Sequence, residues 1–371
     1  MVTSSRSVWR LAGVVLAMST GYALAIVSVA WVIAGEAELR ALLGALHPAV
    51  VPAVVGLQLL ALGAQAARWR LLLRGPDPVE LPFRSAVGIQ LAAVSCNVAL
   101  PLLGGDLVAS WILAHRRAVP WARSLAASIY ARLTGLLTCA ALAAFSVLAL
   151  LGGELSTGLG RGFARELVAV ALFAGLVLGV SLSPRPLVAL GHWVERSVPQ
   201  AAAASRRRRL GEGLMVLGWW LHATAVRDRR WVAGALLWSA ANYVAAAMAV
   251  MVLARGLGLA PSPLTCLALV TLGSLSGMAT LIAPAGGVVE ELALFAMVQQ
   301  LMGASAGTAA VFVLGYDLLR TSLVVLGVLP VIHYLRGARS ADLAPLWTRD
   351  VSPILDSLRA GGLAPHAPEG S

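Results

Sequence analysis

Two stretches of the chain, LPLLGGDLVAS at 100–110 and APAGGVVEELA at 283–293, carry the same features in the same order. In each, a proline is followed by a pair of glycines and then by a carboxylate, which is Asp106 in the first stretch and Glu290 in the second. Proline and glycine interrupt helices, and a carboxylate is costly inside an apolar segment. The two stretches therefore predict two helix breaks, each with an acid beside it.

The composition around these stretches is that of a membrane protein. Of the 371 residues, 59% are hydrophobic and only 12% are charged, which is too apolar for a soluble domain and typical of a polytopic membrane protein. All 28 basic residues are arginine, and they give a formal net charge of +11. Without lysine, the chain has neither a Schiff-base lysine nor a P-loop lysine.

Motifs for common enzyme and metal chemistry are missing from the sequence. Cys96, Cys139 and Cys266 lie in apolar stretches, so neither a disulfide framework nor a thiolate zinc site is expected. The six histidines have no ligand spacing, and neither a Gly-x-Ser-x-Gly nor a His-Glu-x-x-His motif occurs. We therefore expect a protein that is not an enzyme, with no metal site, no cofactor and no nucleic-acid partner.

Hydrophobic runs predict six full membrane spans, because a helix needs about 20 apolar residues to cross the bilayer. These runs are 8–34, 49–67, 124–151, 166–183, 231–255 and 307–335. The first is too long for a cleaved signal peptide and is interpreted as a retained span. Two further apolar stretches, 85–114 and 263–302, contain the breaks.

Arginine placement orients the spans, since cytoplasmic loops are enriched in positive charge. Arginines precede the first span and occur in 68–84, in 115–123, in 185–230 and after the last span, so all of these and both termini are predicted to be cytoplasmic. The acidic stretch at 36–38 suits the outside.

This orientation means that the broken stretches enter the membrane from opposite sides. The 85–114 stretch would enter and return from the cytoplasm, turning at Pro101, Gly104 and Gly105, whereas 263–302 would do so from the outer face. The prediction is an all-α, polytopic integral membrane protein with about six full spans and two re-entrant helical hairpins, arranged as an inverted-topology repeat. Such repeats place broken helices near the midplane, where they line a polar chamber.

The predicted domain organisation is one membrane domain, 1–335, followed by a disordered cytoplasmic tail, 336–371. The repeat halves are about 49–151 and 231–335. The insert at about 185–230 between them has two interpretations: an interfacial helix with a basic flank, or a solvated linker.

Charges within the apolar spans are the candidate functional residues. The candidates around the breaks and the following spans are Arg132, Arg320, Asp106, Glu290, Asn97, Gly104, Gly105, Gly286 and Gly287. In one hypothesis, the two arginines hold a lipid phosphate with bidentate hydrogen bonds, helped by N–H groups of the glycine pairs, while the acids balance charge or carry a coupling proton. In the other, each acid pairs with an arginine only to neutralise buried charge.

Several neighbouring residues have simpler expected roles. Asp317 lies one turn before Arg320, and this spacing predicts a local ion pair. Asn97 is expected to bond freed backbone carbonyls or ligand, or to pack between helices. Arg68 lies at a span end, where an arginine is expected to reach the interface. GSLSG at 273–277 predicts a close helix contact.

The chain resembles the flippase-like membrane domain of lysylphosphatidylglycerol synthases, a family that also has stand-alone members. The matching stretches are ARWRLLL at 67–73, NVALPLLGGDLVASWIL at 97–113, SIYARLTGLL at 128–137, IAPAGGVVEELAL at 282–294 and DLLRTSLVV at 317–325. The family usually has a third glycine, and often an arginine, before the glutamate of the second motif. Here Val288 and Val289 precede Glu290 and Glu291, which leaves the equivalent glutamate open, with Glu290 favoured.

The resemblance implies an inner-membrane protein that moves a lipid between leaflets. The soluble aminoacyl-transferring domain of the bifunctional members is missing, so lipid aminoacylation is not implied. Membrane lipids with anionic head groups are the expected partners. The alternative is a membrane-embedded enzyme or accessory protein for the modification of a polyprenyl-linked or hopanoid lipid, and a third possibility is an assembly scaffold.

Overall fold

The fold is all-helical in the part of the chain that the structure describes. The computed structural model describes residues 5–74, 81–99, 104–117, 119, 121–151, 185–196, 211–216, 218–219, 229–279 and 286–335. Its helices are α1 (Ser5–Ala45), α2 (Val50–Leu73), α3 (Phe83–Ala99), α4 (Gly104–Arg117), α5 (Trp121–Leu151), α6 (Arg185–Arg196), α7 (Arg229–Gly256), α8 (Pro263–Ala279), α9 (Gly286–Met302) and α10 (Ala306–Leu335). The fold class of an all-α polytopic membrane protein is confirmed.

Five helices are long and apolar enough to cross a membrane. These are Ala12–Gly44, Val50–Leu73, Arg123–Leu150, Arg230–Gly256 and Ala306–Tyr334. They coincide with five predicted spans, and the sixth, 166–183, lies outside the described residues. Leucines on the outer surface are exposed, among them Leu237 at 70% and Leu329 at 67%, as expected for side chains that face lipid.

The first helix is longer than predicted. The sequence placed a loop after residue 34, but α1 continues to Ala45 through a kink at Gly35, whose φ of 75° suits glycine. Glu36 and Arg40 form an i,i+4 ion pair in this extension. Glu38 accepts a hydrogen bond from Ser305, just before the start of α10. The charges that suggested a loop therefore lie on a helix surface.

Helices α2 and α7 pack side by side. Gly234, near the start of α7, lies against Leu71 near the end of α2, while Gly256 at the other end of α7 lies against Val50. The two helices are therefore antiparallel. Their packing agrees with the predicted inward and outward directions of these spans.

At one end of the bundle, two arginines hold the ends of neighbouring helices together, and we call it the arginine end. Arg123 at the start of α5 donates a hydrogen bond to the carbonyl of Leu73 at the end of α2. Arg116 at the end of α4 donates to the carbonyls of His333 and Tyr334 at the end of α10. These ends are the ones predicted to be cytoplasmic.

Helices α3 and α4 form a hairpin that starts at the arginine end. Gly105 lies so close to the carbonyl of Ala93 that the chain must reverse between the two helices. Gly88 contacts Tyr334 near the end of α10, whereas Ser95 bonds to the carbonyl of Val324, further along that helix. The tip of the hairpin therefore reaches the middle of α10.

Helices α8 and α9 form a second hairpin from the opposite end. Gly273 packs against Leu294, so the GSLSG stretch does make a close helix contact. Glu290 near the start of α9 bonds to Arg320 in the middle of α10, while Met302 at the end of α9 is followed closely by the start of α10. Both tips thus lie near mid-α10. That the hairpins dip into the bilayer stays a prediction.

The two halves have the same order of elements and matching contacts. Span, hairpin and span appear as α2, α3–α4 and α5, and again as α7, α8–α9 and α10. Helix α5 packs on α8, and its counterpart α10 packs on α3. Each hairpin therefore packs against the closing helix of the other half. The inverted-topology repeat itself stays a prediction.

The described part of the insert is packed rather than solvated. Gly191 of α6 lies against Met215 in a short helical segment at 211–216. Val188, Met215 and Val216 are buried in the apolar cluster that also contains Trp69. The linker interpretation does not apply to these residues. The remainder of the insert and the 336–371 tail lie outside the described residues.

Candidate functional site

The first glycine pair starts a helix that carries an acid in its first turn. Helix α4 begins at Gly104, and Asp106 lies where the helix dipole favours negative charge. Asp106 forms an ion pair with Arg132 of α5. The Asp106 side chain is 14% exposed and that of Arg132 is 36% exposed, so the guanidinium is the more accessible partner.

Asn97 holds the start of this helix. The backbone N–H of Gly105 donates a 2.8 Å hydrogen bond to Asn97 Oδ1, which satisfies one of the free donors at the helix start. The sequence predicted a bond from Asn97 to a freed carbonyl, whereas in this contact Asn97 accepts from a freed N–H. Gly105 is required here because a Cβ at this position would lie 2.2 Å from the carbonyl oxygen of Ala93.

Arg68 is a buried member of this cluster, and the expectation that it reaches the interface is wrong. It is 6% exposed and donates a 2.8 Å hydrogen bond to Ser239 of α7. Its guanidinium lies against Gly135 of α5 and interacts electrostatically with Asp106 and Arg132. The rotation of α2 about its axis points the Arg68 side chain at α5 and α7. The position of a residue along a span does not reveal this rotation.

The second hairpin repeats the ion pair. Helix α9 starts at the glycine pair Gly286 and Gly287, and Glu290 follows in the next turn. Arg320 of α10 donates a 2.9 Å hydrogen bond to Glu290. The side chain of Arg320 is 53% exposed and that of Glu290 is 17% exposed, so the guanidinium is again the accessible partner.

The structure separates the roles of the two adjacent glutamates. Glu290 pairs with Arg320, whereas Glu291 accepts a hydrogen bond from the hydroxyl of Tyr22 in α1. Glu290 therefore occupies the position that matches Asp106 in the first half. Sequence reasoning missed Tyr22, because a tyrosine in a long first span carries no signal of its partner.

Asp317 does not make the local ion pair expected from its spacing to Arg320. The guanidinium is turned to Glu290, and Asp317 is 2% exposed. Among the described residues, its Oδ2 atom is buried without a hydrogen-bond partner. A carboxylate oxygen buried in this way loses its hydration, and no hydrogen-bond donor replaces the water.

Each half thus joins a hairpin to the following span by a carboxylate and an arginine. The first cluster holds Arg68, Arg132 and Asp106, for a formal charge of +1. The second holds Arg320 with three carboxylates, Glu290, Glu291 and Asp317, for a formal charge of −2. The existence of one pocket shared by the two clusters stays a prediction.

The fold and these paired charges define a class of protein: a polytopic helical membrane protein with polar residues at broken helices inside the bundle. The family model described as "Lysylphosphatidylglycerol synthase TM region" matches residues 11–327. The chain belongs to this family of membrane proteins, which is related to lipid modification or transport. Searches of curated proteins and of solved structures found no significant match. Within the described residues, no group of histidine, cysteine and acidic side chains is arranged to hold a metal ion.

Proposed function

We propose that this protein moves an anionic lipid, either a phospholipid or an isoprenoid-linked lipid phosphate, between the leaflets of the membrane. The head group would pass the two hairpin tips while the lipid tails stay in the bilayer. The observation that carries this proposal is the repeated ion pair at the tips, with Arg132 and Arg320 each more exposed than its acid.

The chemistry of the arginines fits a phosphate. A guanidinium has five N–H donors in a planar fork, which matches two phosphate oxygens. Each ion pair engages a single nitrogen, Nε of Arg132 and one terminal nitrogen of Arg320. A phosphate oxygen can therefore bind to the same guanidinium as the acid, or replace the acid.

The acids give the empty site a stable form. Without Asp106, the guanidinium of Arg132 would lose its ion-pair partner in a bundle of apolar helices, and an unpaired charge there is costly. Without Glu290, Arg320 would lose the hydrogen bond that holds it at the hairpin tip. With the acid present, the arginine is held at the tip in a defined position. In this proposal the charge-neutralising pair is the resting form of the ligand site, so the two sequence hypotheses describe two states of one site.

The proposed location is the bacterial inner membrane, with both termini in the cytoplasm. The arginine end of the bundle would be the cytoplasmic end, in line with the positive-inside rule. The first hairpin would then open toward the cytoplasm and the second toward the outside.

Lipid exchange in reconstituted vesicles tests the proposal. Fluorescent phosphatidylglycerol is placed in both leaflets, and a membrane-impermeant reductant reports how fast the inner pool reaches the outer leaflet. Removing a charged hydrogen-bond donor costs about 1.5–3 kcal/mol, so Arg132→Ala or Arg320→Ala should slow exchange roughly 10- to 150-fold. The lysine variants should lose less, because they keep the charge.

Arg40→Ala is the matched control. Arg40 also pairs with a carboxylate, Glu36, but its side chain is 78% exposed and lies on α1 away from both hairpin tips. Exchange should be unchanged in this variant. Equal rates in wild type, Arg132→Ala and Arg320→Ala would reject the role given to these arginines.

The alternative of a lipid-modifying enzyme needs converging catalytic groups. Asp106 and Glu290 are each held by an arginine of their own half, which leaves neither poised as a free base. We therefore propose transport and not catalysis. Conversion of the lipid probe to a new species by the purified protein would favour the enzyme.

A further inference from the structure

The transport proposal uses Arg320 and Glu290 but leaves Asp317 without a role. Asp317 is one of the few charged residues within the described spans and is 2% exposed. Its Oδ2 atom is buried and has no hydrogen-bond partner among the described residues. An ionised carboxylate in such a place is unstable unless it gains a cation, a donor or a proton.

The charged groups that face Asp317 act in opposite directions. Tyr316 and Arg320 lie on its own helix, Glu290 and Glu291 come from α9, and Tyr22 of α1 bonds to Glu291. Arg320 favours a charge on Asp317, whereas burial and both glutamates oppose it. The one guanidinium among these groups is turned toward Glu290.

Of the three carboxylates, Asp317 is the one left to hold a proton. Glu290 receives a hydrogen bond from Arg320, and Glu291 receives one from Tyr22. Either bond stabilises an ionised acid. A protonated Asp317 gains an O–H donor, which can bond to a carbonyl of its own helix.

We propose that the second cluster binds its anionic ligand only while Asp317 holds a proton, so that lipid movement depends on protons. This rests on the proposed function and names its regulation. When Asp317 is ionised, Arg320 lies one turn away and turns to it. When Asp317 is protonated, Arg320 is released to Glu290 and to the phosphate.

This dependence follows from the charges near Arg320. An ionised Asp317 and a phosphate diester would each bring one negative charge to the same guanidinium, beside the two glutamates that already face it. A proton on Asp317 removes one of these negative charges while the head group is bound.

The pH dependence of lipid exchange tests this coupling. Exchange of fluorescent phosphatidylglycerol is measured in vesicles over a series of pH values, equal on both sides. If the protonated form is active, the wild-type rate should fall with rising pH, by up to about tenfold per pH unit. Asp317→Asn, a neutral side chain of the same shape, should keep the exchange and lose the pH dependence.

The control is Glu36→Gln, which makes the same chemical change at an exposed ion pair of α1. This variant should follow the wild-type profile. A pH-independent wild type, or an Asp317→Asn variant with the full wild-type dependence, would overturn the proposal.

A second measurement does not depend on transport. Water-soluble short-chain phosphatidylglycerol is added to the purified protein in weakly buffered detergent, and an indicator dye reports proton uptake. At a pH at which the wild-type exchange rate has fallen, we expect uptake of up to about one proton per protein for wild type and Glu36→Gln, and none for Asp317→Asn. Uptake without any exchange in vesicles would reject the transport function but keep the coupling, whereas no uptake by wild type would overturn the coupling.

Discussion

Replacing Gly105 by alanine should open the first hairpin. The new Cβ would lie 2.2 Å from the carbonyl oxygen of Ala93 and 2.6 Å from Asn97 Oδ1. Carbon and carbonyl oxygen normally approach no closer than about 3.3 Å, so the two helices must separate by about 1 Å. The backbone at Ala93 cannot turn away as a side chain would.

The cost follows from three contributions. Overpacking costs about 1–3 kcal/mol, and the lost hydrogen bond from Gly105 to Asn97 costs about 1 kcal/mol. The higher helix propensity of alanine offsets up to about 1 kcal/mol of this loss in stability. We therefore expect the free energy of unfolding to fall by about 1–3 kcal/mol, measured by SDS titration in mixed micelles.

Two variants separate the clash from other effects. Gly56 is an exposed glycine in the middle of α2 with no atom within 4 Å of a new Cβ, so Gly56→Ala should be neutral or slightly stabilising. Asn97→Ala removes the hydrogen bond without adding bulk and should cost about 1 kcal/mol. The steric reasoning is refuted if Gly105→Ala is as stable as Gly56→Ala, or no less stable than Asn97→Ala.

The same unfolding assay checks three further contacts. Gly327→Ala should lose about 1–3 kcal/mol, because its Cβ would lie 2.0 Å from Ser95 Oγ, where α10 packs on α3; wild-type stability would contradict this close approach. Ser239→Ala should lose about 1.5–3 kcal/mol, since the buried guanidinium of Arg68 loses its hydrogen-bond acceptor; a change below 0.5 kcal/mol would count against that bond, on the usual scale of surface substitutions. Tyr22→Phe should lose about 1 kcal/mol with its bond from α1 to α9, and no loss would argue that the bond does not form.

The sequence was sufficient for features that depend on local pattern. Apolar runs mark the five described spans, since crossing the bilayer requires length and hydrophobicity alone. Proline and glycine mark the breaks where the structure begins α4 and α9. Because a charge inside a span is costly, the sequence predicted that Arg132 and Arg320 each have an acid nearby.

Features set by packing between distant elements were not accessible from the sequence. Arg68 lies near the end of its span, as an interfacial arginine would, and its inward direction depends on where α5 and α7 lie. Asp317 has the spacing of a local pair, but Glu290 arrives from another helix and competes for the guanidinium. The extension of α1 beyond Gly35 depends on the contact of Glu38 with the start of α10.

The crossed packing of the halves restricts how the protein can change shape. Because α3 packs on α10 and α5 packs on α8, neither half is a separate rigid body that rocks against the other. Rocking would tear each hairpin from the helix that supports it. An opening movement instead has to move a hairpin together with the closing helix of the opposite half. If the chain is cut between the repeats, each fragment should fold only when the other fragment is present in the same membrane.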